Sequence, residues 1–220
     1  MRYFFFGLMV MLLFTACPPT PEAPPQLDDD MFIDDPVNEE RDRSIWQQPG
    51  AVMDAMGDIR EKVIADIGAG KGFFAKRLAL VADRVIAVEI NDSLIVDLEQ
   101  LREVELPKEF RPRLEPRLGT ESDPKLEKSE VDIILLVNTL MYIENQEDYL
   151  KKLYPALRSD GRIVIVDWKK RDTIEGPQKS KRLALGTLEE QLKAAGFHLV
   201  SSDDLTLKYQ YIVVADKVRE

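Results

Sequence analysis

The sequence predicts an α/β domain, built as a three-layer sandwich with a mainly parallel, seven-stranded sheet. Short apolar runs alternate with segments of helical spacing from about residue 45 onward. The runs are continuously apolar, which is typical of strands buried on both faces. The first run leads directly into clustered glycines. Such alternating βα units favour parallel strands with helices on both faces of the sheet.

Each element follows from its own pattern. The strands are predicted at residues 62–67, 84–89, 113–118, 131–138, 162–168, 197–201 and 209–215. The helices are predicted at residues 73–81, 93–104, 146–157 and 187–195. Asn91, Asp92 or Ser93 can cap the second helix. Asp160–Gly161 predicts a turn before the fifth strand, and Gly196 is expected to end the last helix.

The composition excludes several classes of protein. The chain has 220 residues, of which 45% are hydrophobic, and this is enough to bury a core. It contains one cysteine, so a disulfide scaffold is excluded. A net charge of −10 disfavours a broad basic surface. We therefore expect no nucleic-acid partner, and the sequence indicates no particular oligomeric state.

The N-terminus has the pattern of a secretory signal. Arg2 is the only charge before Glu22, and residues 3–16 are almost entirely apolar. This run is shorter than the roughly 20 residues that span a bilayer as a helix. It ends at Ala16-Cys17, which resembles the lipobox of bacterial lipoproteins. We therefore predict a lipoprotein-type signal peptide over residues 1–16 and a lipid anchor at Cys17. The alternative is a plain signal anchor with an incidental cysteine.

Residues 17–44 predict an extended tether between the anchor and the domain at residues 45–220. Six of the thirteen prolines fall in this segment, together with a dense block of Asp and Glu. Proline stiffens the chain, and like charges extend it. The alternative is a disordered tail with no function.

The glycine turn after the first strand predicts a ligand site. It places Asp66, Gly68, Gly70 and Gly72 between the first strand and the helix that begins at Phe73. Clustered glycines let backbone N–H groups approach a ligand closely. The dinucleotide fingerprint would need glycine at position 73, and a carboxylate at position 66 would repel a pyrophosphate. A ligand that carries a cation would instead be attracted.

A second acid completes this ligand pattern. Glu89 ends the second strand, 19 residues after Gly70. A carboxylate there can accept hydrogen bonds from both hydroxyls of a ribose. The predicted ligand is therefore a nucleoside that carries a cation and no phosphate, and S-adenosylmethionine fits this description.

At this point the sequence resembles the class I S-adenosylmethionine-dependent methyltransferases, over about residues 45–216. Asp66 and the three glycines match the family's D-x-G-x-G-x-G run, and Glu89 matches its ribose-binding acid. The resemblance implies a Rossmann-like methyltransferase fold with the last strand antiparallel, and S-adenosylmethionine as cofactor.

The resemblance also implies further cofactor-binding residues. Thr120 lies in the segment 119–124, where the family has its adenine loop. Asn138 ends the fourth strand, where the family's fourth motif lines the cofactor and substrate side. The segment 43–49 matches the R-x-x-W-Q-x-P lead-in of a bacterial subgroup, which implies a cap over the cofactor pocket. Each feature also has a structural alternative, such as a polar connection, a helix cap or a core anchor at Trp46.

The chemistry makes modest demands on side chains, because a sulfonium methyl group is already activated. The enzyme chiefly aligns the nucleophile and excludes water. A base is needed only for a protonated nucleophile, and the candidates are Tyr142, Asp167 and Lys169. The family often has His near position 142. His198, the only histidine, is predicted to be a surface strand residue. No residue pattern has metal-ligand spacing, so no metal is predicted.

The acceptor is predicted to be a small molecule or a lipid, and three settings remain open. S-adenosylmethionine is made in the cytoplasm, whereas a lipoprotein domain in the bacterial cell envelope faces away from it. The chain is then an envelope methyltransferase, a non-catalytic envelope-tethered module that binds a nucleoside or a partner, or a cytoplasmic enzyme translated from Met31. A weaker alternative is an NAD(P)-dependent oxidoreductase, which the mismatch at Phe73 disfavours.

Overall fold

The computed structural model describes residues 43–218 and contains one seven-stranded sheet. The strands are β1 Val63–Ile67, β2 Arg84–Glu89, β3 Leu114–Leu118, β4 Val131–Val137, β5 Leu157–Trp168, β6 Phe197–Asp203 and β7 Gln210–Lys217. The helices are α1 Pro49–Met56, α2 Phe73–Ala79, α3 Asp92–Val104, α4 Gln146–Ala156 and α5 Leu185–Ala194. All seven predicted strands and all four predicted helices are present.

The strand order is β3-β2-β1-β4-β5-β7-β6. Strands β1 to β5 pair in parallel, and β7 is antiparallel to both of its neighbours. The predicted fold class is therefore confirmed, including the antiparallel last strand. The winding direction reverses between β1 and β4, and in open α/β sheets ligands bind beyond the carboxyl ends of the strands at such a point.

Two apolar clusters cover the two faces of the sheet. Alternate residues of β1 contribute to each: Val63 and Ala65 belong to one cluster, and Ile64 belongs to the other. The first cluster includes α4 and α5, and the second includes α1, α2 and α3. Because every residue of β1 is buried, its continuous apolar pattern is explained by helices on both sides.

Two local predictions differ from the structure. The predicted turn at Asp160–Gly161 lies inside β5, which begins at Leu157. Leu157 pairs with Val131, and the ladder resumes with an irregular register at Arg162, which pairs with Ile133. The chain therefore bulges where a turn was expected, because pairing with β4 begins before the bend.

Helix α1 is absent from the sequence prediction. Pro49 occupies its first turn, but Gln48 is left-handed and gives no side-chain cap. The usual Ser, Thr, Asp or Asn signal before a helix is therefore missing. Ahead of it, residues 43–47 are also helical.

The predicted signal peptide, Cys17 and residues 17–42 of the predicted tether lie outside the described residues. Within residues 43–218, no helix is both long and apolar enough to cross a membrane.

Candidate functional site

The glycine turn brings the loop after β1 against the loop after β4. Gly68 has φ +74°, and a Cβ built on it would lie 2.3 Å from Thr139 Oγ1. Gly72 has φ +83°, and its Cβ would lie 2.7 Å from Leu101 Cδ1. Both positions require glycine, because the backbone is left-handed and the neighbouring side chains leave no room. Gly68 thus allows the loops after β1 and β4 to lie close together, and Gly72 allows α2 to pack closely on α3.

Glu89 is fixed by backbone donors at the carboxyl end of β2. The Gly70 N–H donates to Glu89 Oε2 at 2.9 Å, and the Ile90 N–H donates to Glu89 Oε1 at 2.7 Å. The Asn91 N–H also donates to Glu89 Oε1, at 3.3 Å, so the remaining acceptor capacity lies mainly on Oε2. These backbone donors therefore hold the carboxylate in one orientation, with acceptor capacity left for a ligand.

A cavity of about 860 Å³ opens at this edge of the sheet. It is lined by Ile67, Gly68, Val88, Glu89, Ile90, Thr120, Glu121, Ser122, Asn138, Thr139, Tyr142, Ile143, Glu144, Asn145, Asp148, Tyr149 and Lys152. Four of the seven predicted cofactor-binding residues are in this lining: Gly68, Glu89, Thr120 and Asn138. Its size falls within the range of about 300–1000 Å³ that is typical of small-molecule sites.

The other three predicted residues support the site from outside this lining. Gly70 contributes its backbone N–H to Glu89, and Gly72 packs on α3. Asp66 is 2% exposed within β1. The structure therefore brings all seven to one region but divides them between the lining and its support.

The predicted adenine loop lies beside Glu89. The Gly119 N–H donates to the Glu89 carbonyl at 2.9 Å, and Thr120 and Asp123 pair through their backbones. Ile90, which is 55% exposed, lines the cavity next to Glu89. An apolar side chain beside the predicted ribose-binding acid offers a surface for a planar base. No sequence pattern singled out Ile90, although its position directly after Glu89 could have indicated it.

Acidic side chains dominate the cavity. Glu89, Glu121, Glu144 and Asp148 line it, against one cation, Lys152. Lys152 Nζ also donates to the Ser122 carbonyl at 2.9 Å. This excess of negative charge favours a cationic ligand and disfavours phosphate groups.

Asp66 is a buried carboxyl beneath the glycine turn. Its Oδ2 has no hydrogen-bond partner among the described residues. The pKa of Asp66 is raised to about 7, mainly by burial; the charge of Arg43 and the hydrogen bond from the Ala75 N–H oppose the shift, and the charge of Glu89 adds to it. Asp66 therefore carries a proton in the folded chain under mildly acidic conditions.

We expect Asp66 to make stability fall as the pH rises from about 4 to about 7. In this window the unfolded chain has lost the proton that the folded chain keeps, because the pKa of Asp66 rises from 3.8 to about 7. The free energy of unfolding should drop by at most about 4 kcal/mol across it.

Asp66→Asn should remove most of this slope and should be more stable than the wild type at pH 8. Urea unfolding at several pH values measures this, with the exposed Asp92→Asn as control. Asp167, whose burial raises its pKa to about 6, should keep a shallower slope in Asp66→Asn. An unchanged slope in Asp66→Asn would contradict a protonated Asp66.

A buried relay of hydrogen bonds connects the N-terminal helical segment to the cavity. Arg43 Nε donates to Gln47 Oε1 at 2.6 Å, and Gln47 Nε2 donates to Gln210 Oε1 at 3.2 Å. Gln210 Nε2 then donates to Asn138 Oδ1. Gln47 and Gln210 are both fully buried. The predicted lead-in is thereby bonded to the Asn138 side of the cavity.

The relay fixes the orientation of every amide in it. Arginine can only donate hydrogen bonds, so Gln47 must turn its oxygen toward Arg43 and its nitrogen toward Gln210. The same argument turns the nitrogen of Gln210 toward Asn138. Asn138 Nδ2 has no hydrogen-bond partner among the described residues and is not among their buried unpartnered atoms. Asn138 therefore presents an N–H donor at the cavity.

Gln210→Leu should lower the free energy of unfolding by about 2–4 kcal/mol, because it leaves buried Gln47 Nε2 and Asn138 Oδ1 without partners. Gln191→Leu is the matched control. Gln191 Oε1 is buried without a partner, and Gln191 Nε2 makes a single hydrogen bond, to the partly buried Gln146 Oε1 at 3.1 Å, so its replacement should cost only about 1 kcal/mol. Chemical denaturation measures both variants, and equal losses would contradict the role given to the relay.

The three candidate bases occupy different positions. Tyr142 is 64% exposed and lines the cavity. Asp167 is fully buried and accepts from the Met141 N–H at 3.2 Å, so it holds the loop after β4. Lys169 is 5% exposed, and its Nζ donates to the Leu207 carbonyl at 2.7 Å. Of the three, only Tyr142 lies in the cavity lining.

Other predicted residues have structural positions. Trp46 packs on Trp168 with ring centroids 5.1 Å apart, away from the cavity lining, as the core-anchor alternative expects. His198 is an exposed residue of β6, as predicted. Among residues 43–218, no group of three His, Cys, Asp or Glu side chains is arranged to hold a metal ion.

Solved structures share this fold. A S-adenosylmethionine-dependent methyltransferase from Aquifex aeolicus is 21% identical, with a TM-score of 0.73 over 84% of this chain and 99% of that one. One from Mesorhizobium loti is 15% identical, with a TM-score of 0.64 over 76% and 96% of the two chains. The [4+2]-cyclase SpnF is 14% identical, with a TM-score of 0.68 over 79% and 82%. These similarities establish the fold, which does not by itself define the reaction.

The sheet order, the glycine turn and the fixed carboxylate define a domain of the class I methyltransferase type. Residues 65–165 match the family model described as a methyltransferase domain. Comparison with curated proteins gives no significant match. The methyltransferase domain at residues 65–165 and the shared fold support a S-adenosylmethionine-dependent methyltransferase, and they imply S-adenosylmethionine as its cofactor. These findings do not support the alternative of a non-catalytic binding module.

Proposed function

We propose that the chain transfers the methyl group of S-adenosylmethionine to a small molecule or a lipid in the bacterial cell envelope. The observation that carries this proposal is the cavity at the carboxyl ends of β1, β2 and β4, where Glu89 is held by the glycine turn. The cavity has the size of a small-molecule site. Its excess of acids disfavours acceptors that are rich in phosphate, such as nucleic acids.

The residues of the cavity fit the cofactor. Glu89 would accept hydrogen bonds from the ribose hydroxyls, Ile90 and the loop 120–122 would enclose the adenine, and Gly68 would let the amino-acid tail pass close to the backbone. When bound, the cofactor supplies an electrophilic methyl group on a sulfonium. The acids of the cavity would favour the positive charge of that sulfonium and of the ammonium group.

The chain's own residues would align the acceptor and exclude water, which is the main requirement for this reaction. Asn138 presents an N–H donor that can hold an oxygen atom of the acceptor. Tyr142 lies at the cavity and could take a proton from a protonated nucleophile. Since Glu121, Glu144 and Asp148 line the cavity, the acceptor's reacting end is expected to be neutral or cationic.

Methyl transfer from tritiated S-adenosylmethionine tests this function. The full-length chain is incubated with a total cell extract, which is then separated into lipid, small-molecule, protein and nucleic-acid fractions. Label should enter the lipid or small-molecule fraction and should be lost with Glu89→Gln. Label confined to protein or nucleic acid would contradict the proposed acceptor class, and no label in any fraction would contradict the proposed transfer.

We also propose that Cys17 carries a lipid that anchors the domain through the tether. The support is the apolar run at residues 3–16, which ends at the only cysteine. Labelling of cells with tritiated palmitate should mark the wild type and not Cys17→Ser. An N-terminal mass that begins at Met31, with no label, would instead establish the cytoplasmic alternative.

A further inference from the structure

Two neighbouring loops form one surface at the carboxyl edge of the sheet. Residues 169–182 follow β5, and residues 203–209 run from the last residue of β6 to the start of β7. Trp168 pairs with Gln210, so the first loop begins beside the end of the second. Arg171 Nη2 donates to the Lys208 carbonyl at 2.9 Å, which joins the loops directly. We call these two loops the basic surface.

A buried arginine gives the longer loop a fixed shape. Arg182 is 3% exposed and donates to the carbonyls of Lys169, Arg171, Glu175 and Pro177 at 2.7–3.1 Å. It also donates to Thr173 Oγ1 at 2.7 Å. The loop is therefore wrapped around a guanidinium group whose donors it satisfies. These hydrogen bonds hold the backbone of the loop in place.

The basic surface exposes apolar side chains. Leu205 is 92% exposed and Ile174 is 86% exposed, the two highest values among the exposed large apolar side chains of the described residues. Both side chains therefore lie at the outside of the two loops, where they can contact a partner.

The same surface is positively charged in an acidic protein. Its two loops contain seven Lys and Arg side chains and four Asp and Glu side chains, whereas the whole chain has a net charge of −10. The exposed cations are Lys170, Arg171, Lys179, Lys181 and Lys208. Lys179 also pairs with Asp172 at 3.2 Å. Lys169 and Arg182 are buried, and the five exposed cations outnumber the exposed acids Asp172, Glu175 and Asp204.

We propose that the basic surface docks the domain on an anionic lipid bilayer. Exposed cations attract anionic headgroups over short distances, and an apolar side chain between them can enter the interface. The attraction should weaken with salt. A nucleic acid would match the cations but would leave Ile174 and Leu205 without an apolar partner.

Docking in this way deepens the proposed function, on whose envelope setting it rests. The cavity lies at the carboxyl ends of β1, β2 and β4, and the basic surface adjoins β5 and β7 at the same edge. Neighbouring strands are about 4.8 Å apart. A bilayer on the basic surface would therefore lie close to the cavity, as an enzyme with a lipid acceptor requires.

A fluorescent probe at Ile174 tests the docking without any methyl-transfer assay. The full-length chain with Cys17→Ser and Ile174→Cys is labelled with bimane and reconstituted into vesicles of neutral phosphatidylcholine, with or without 40% phosphatidylglycerol. Flotation identifies the vesicle-associated protein. Vesicles with phosphatidylglycerol should shift the emission to the blue and protect the probe from iodide, and high salt should reverse both effects.

Matched variants identify the surface responsible. Lys170→Glu with Lys181→Glu should abolish the shift. Lys108→Glu with Lys128→Glu, which changes the net charge equally at the opposite edge of the sheet, should preserve it. A probe at Val104→Cys, which is 70% exposed in the wild type at the end of α3, should not respond. No shift at Ile174, or an equal shift in neutral vesicles, would overturn the docking. Neither result would bear on the methyl-transfer assay. A failure of docking is therefore distinguishable from a failure of the proposed function.

Discussion

Glu89→Gln is expected to weaken the binding of S-adenosylhomocysteine by about 30- to 1000-fold, or about 2–4 kcal/mol. In the wild type, one carboxylate oxygen accepts from Gly70 and the other accepts from Ile90. A glutamine can place an oxygen against only one of these two donors. Its NH₂ group must then face the other backbone N–H, which turns the side chain or opens the glycine turn.

The same substitution also removes the charge that would accept the ribose hydroxyls, and charged acceptors form the stronger hydrogen bonds. Isothermal titration calorimetry measures the affinity, and the melting temperature verifies folding. Glu121→Gln is the control, because Glu121 also lines the cavity but is exposed. It should change the affinity by about 3-fold or less. Equal effects of the two variants would mean that Glu89 contributes only general negative charge.

Gly68→Ala is expected to cost about 2–5 kcal/mol of folding stability and to abolish measurable cofactor binding. The new Cβ would lie 2.3 Å from Thr139 Oγ1 and 2.6 Å from Thr139 Cγ2, and the residue would keep a φ of +74°. The loops after β1 and β4 would have to separate, and both line the cavity. Urea denaturation measures the stability, and calorimetry measures the binding.

Two further variants separate the cost of the clash with Thr139 from the cost of a positive φ at a residue with a side chain. Gly70 has φ +57° but no atom within 4 Å of its Cβ position, so Gly70→Ala should cost only about 1–2 kcal/mol. Thr139→Ala removes both of the closest contacts, so the double variant with Gly68→Ala should recover at least about 1 kcal/mol. If Gly68→Ala and Gly70→Ala were equally stable, the close approach of the two loops would not determine the effect.

The elements around β1 could be predicted because local signals agree there. The first strand is continuously apolar, and the positive φ values of Gly68, Gly70 and Gly72 explain why these positions are glycine. The spacing to Glu89 indicated the ribose acid, and the structure places that carboxylate on the Gly70 N–H. Local sequence patterns were therefore enough to predict the glycine turn and the position of Glu89.

Other features depend on contacts between distant residues. The relay joins Gln47 to Gln210 across 163 positions of sequence, and neither glutamine has a local pattern that indicates burial. Arg182 was equally inconspicuous, since its partners are mainly backbone carbonyls of a loop without regular structure. Helix α1 lacked a capping signal and is held by packing of Val52 and Met56 in the core. Such features become visible only in three dimensions.

A crystal structure with S-adenosylhomocysteine tests the central claim most directly, since it measures the distances from Glu89 to the ribose. Both ribose hydroxyl oxygens should lie within about 3.2 Å of the carboxylate, with the adenine beside Ile90 and the sulfur facing the space near Asn138 and Tyr142. A nucleoside bound elsewhere, or a Glu89 carboxylate turned away from the ribose, would contradict the assignment of this cavity as the cofactor site.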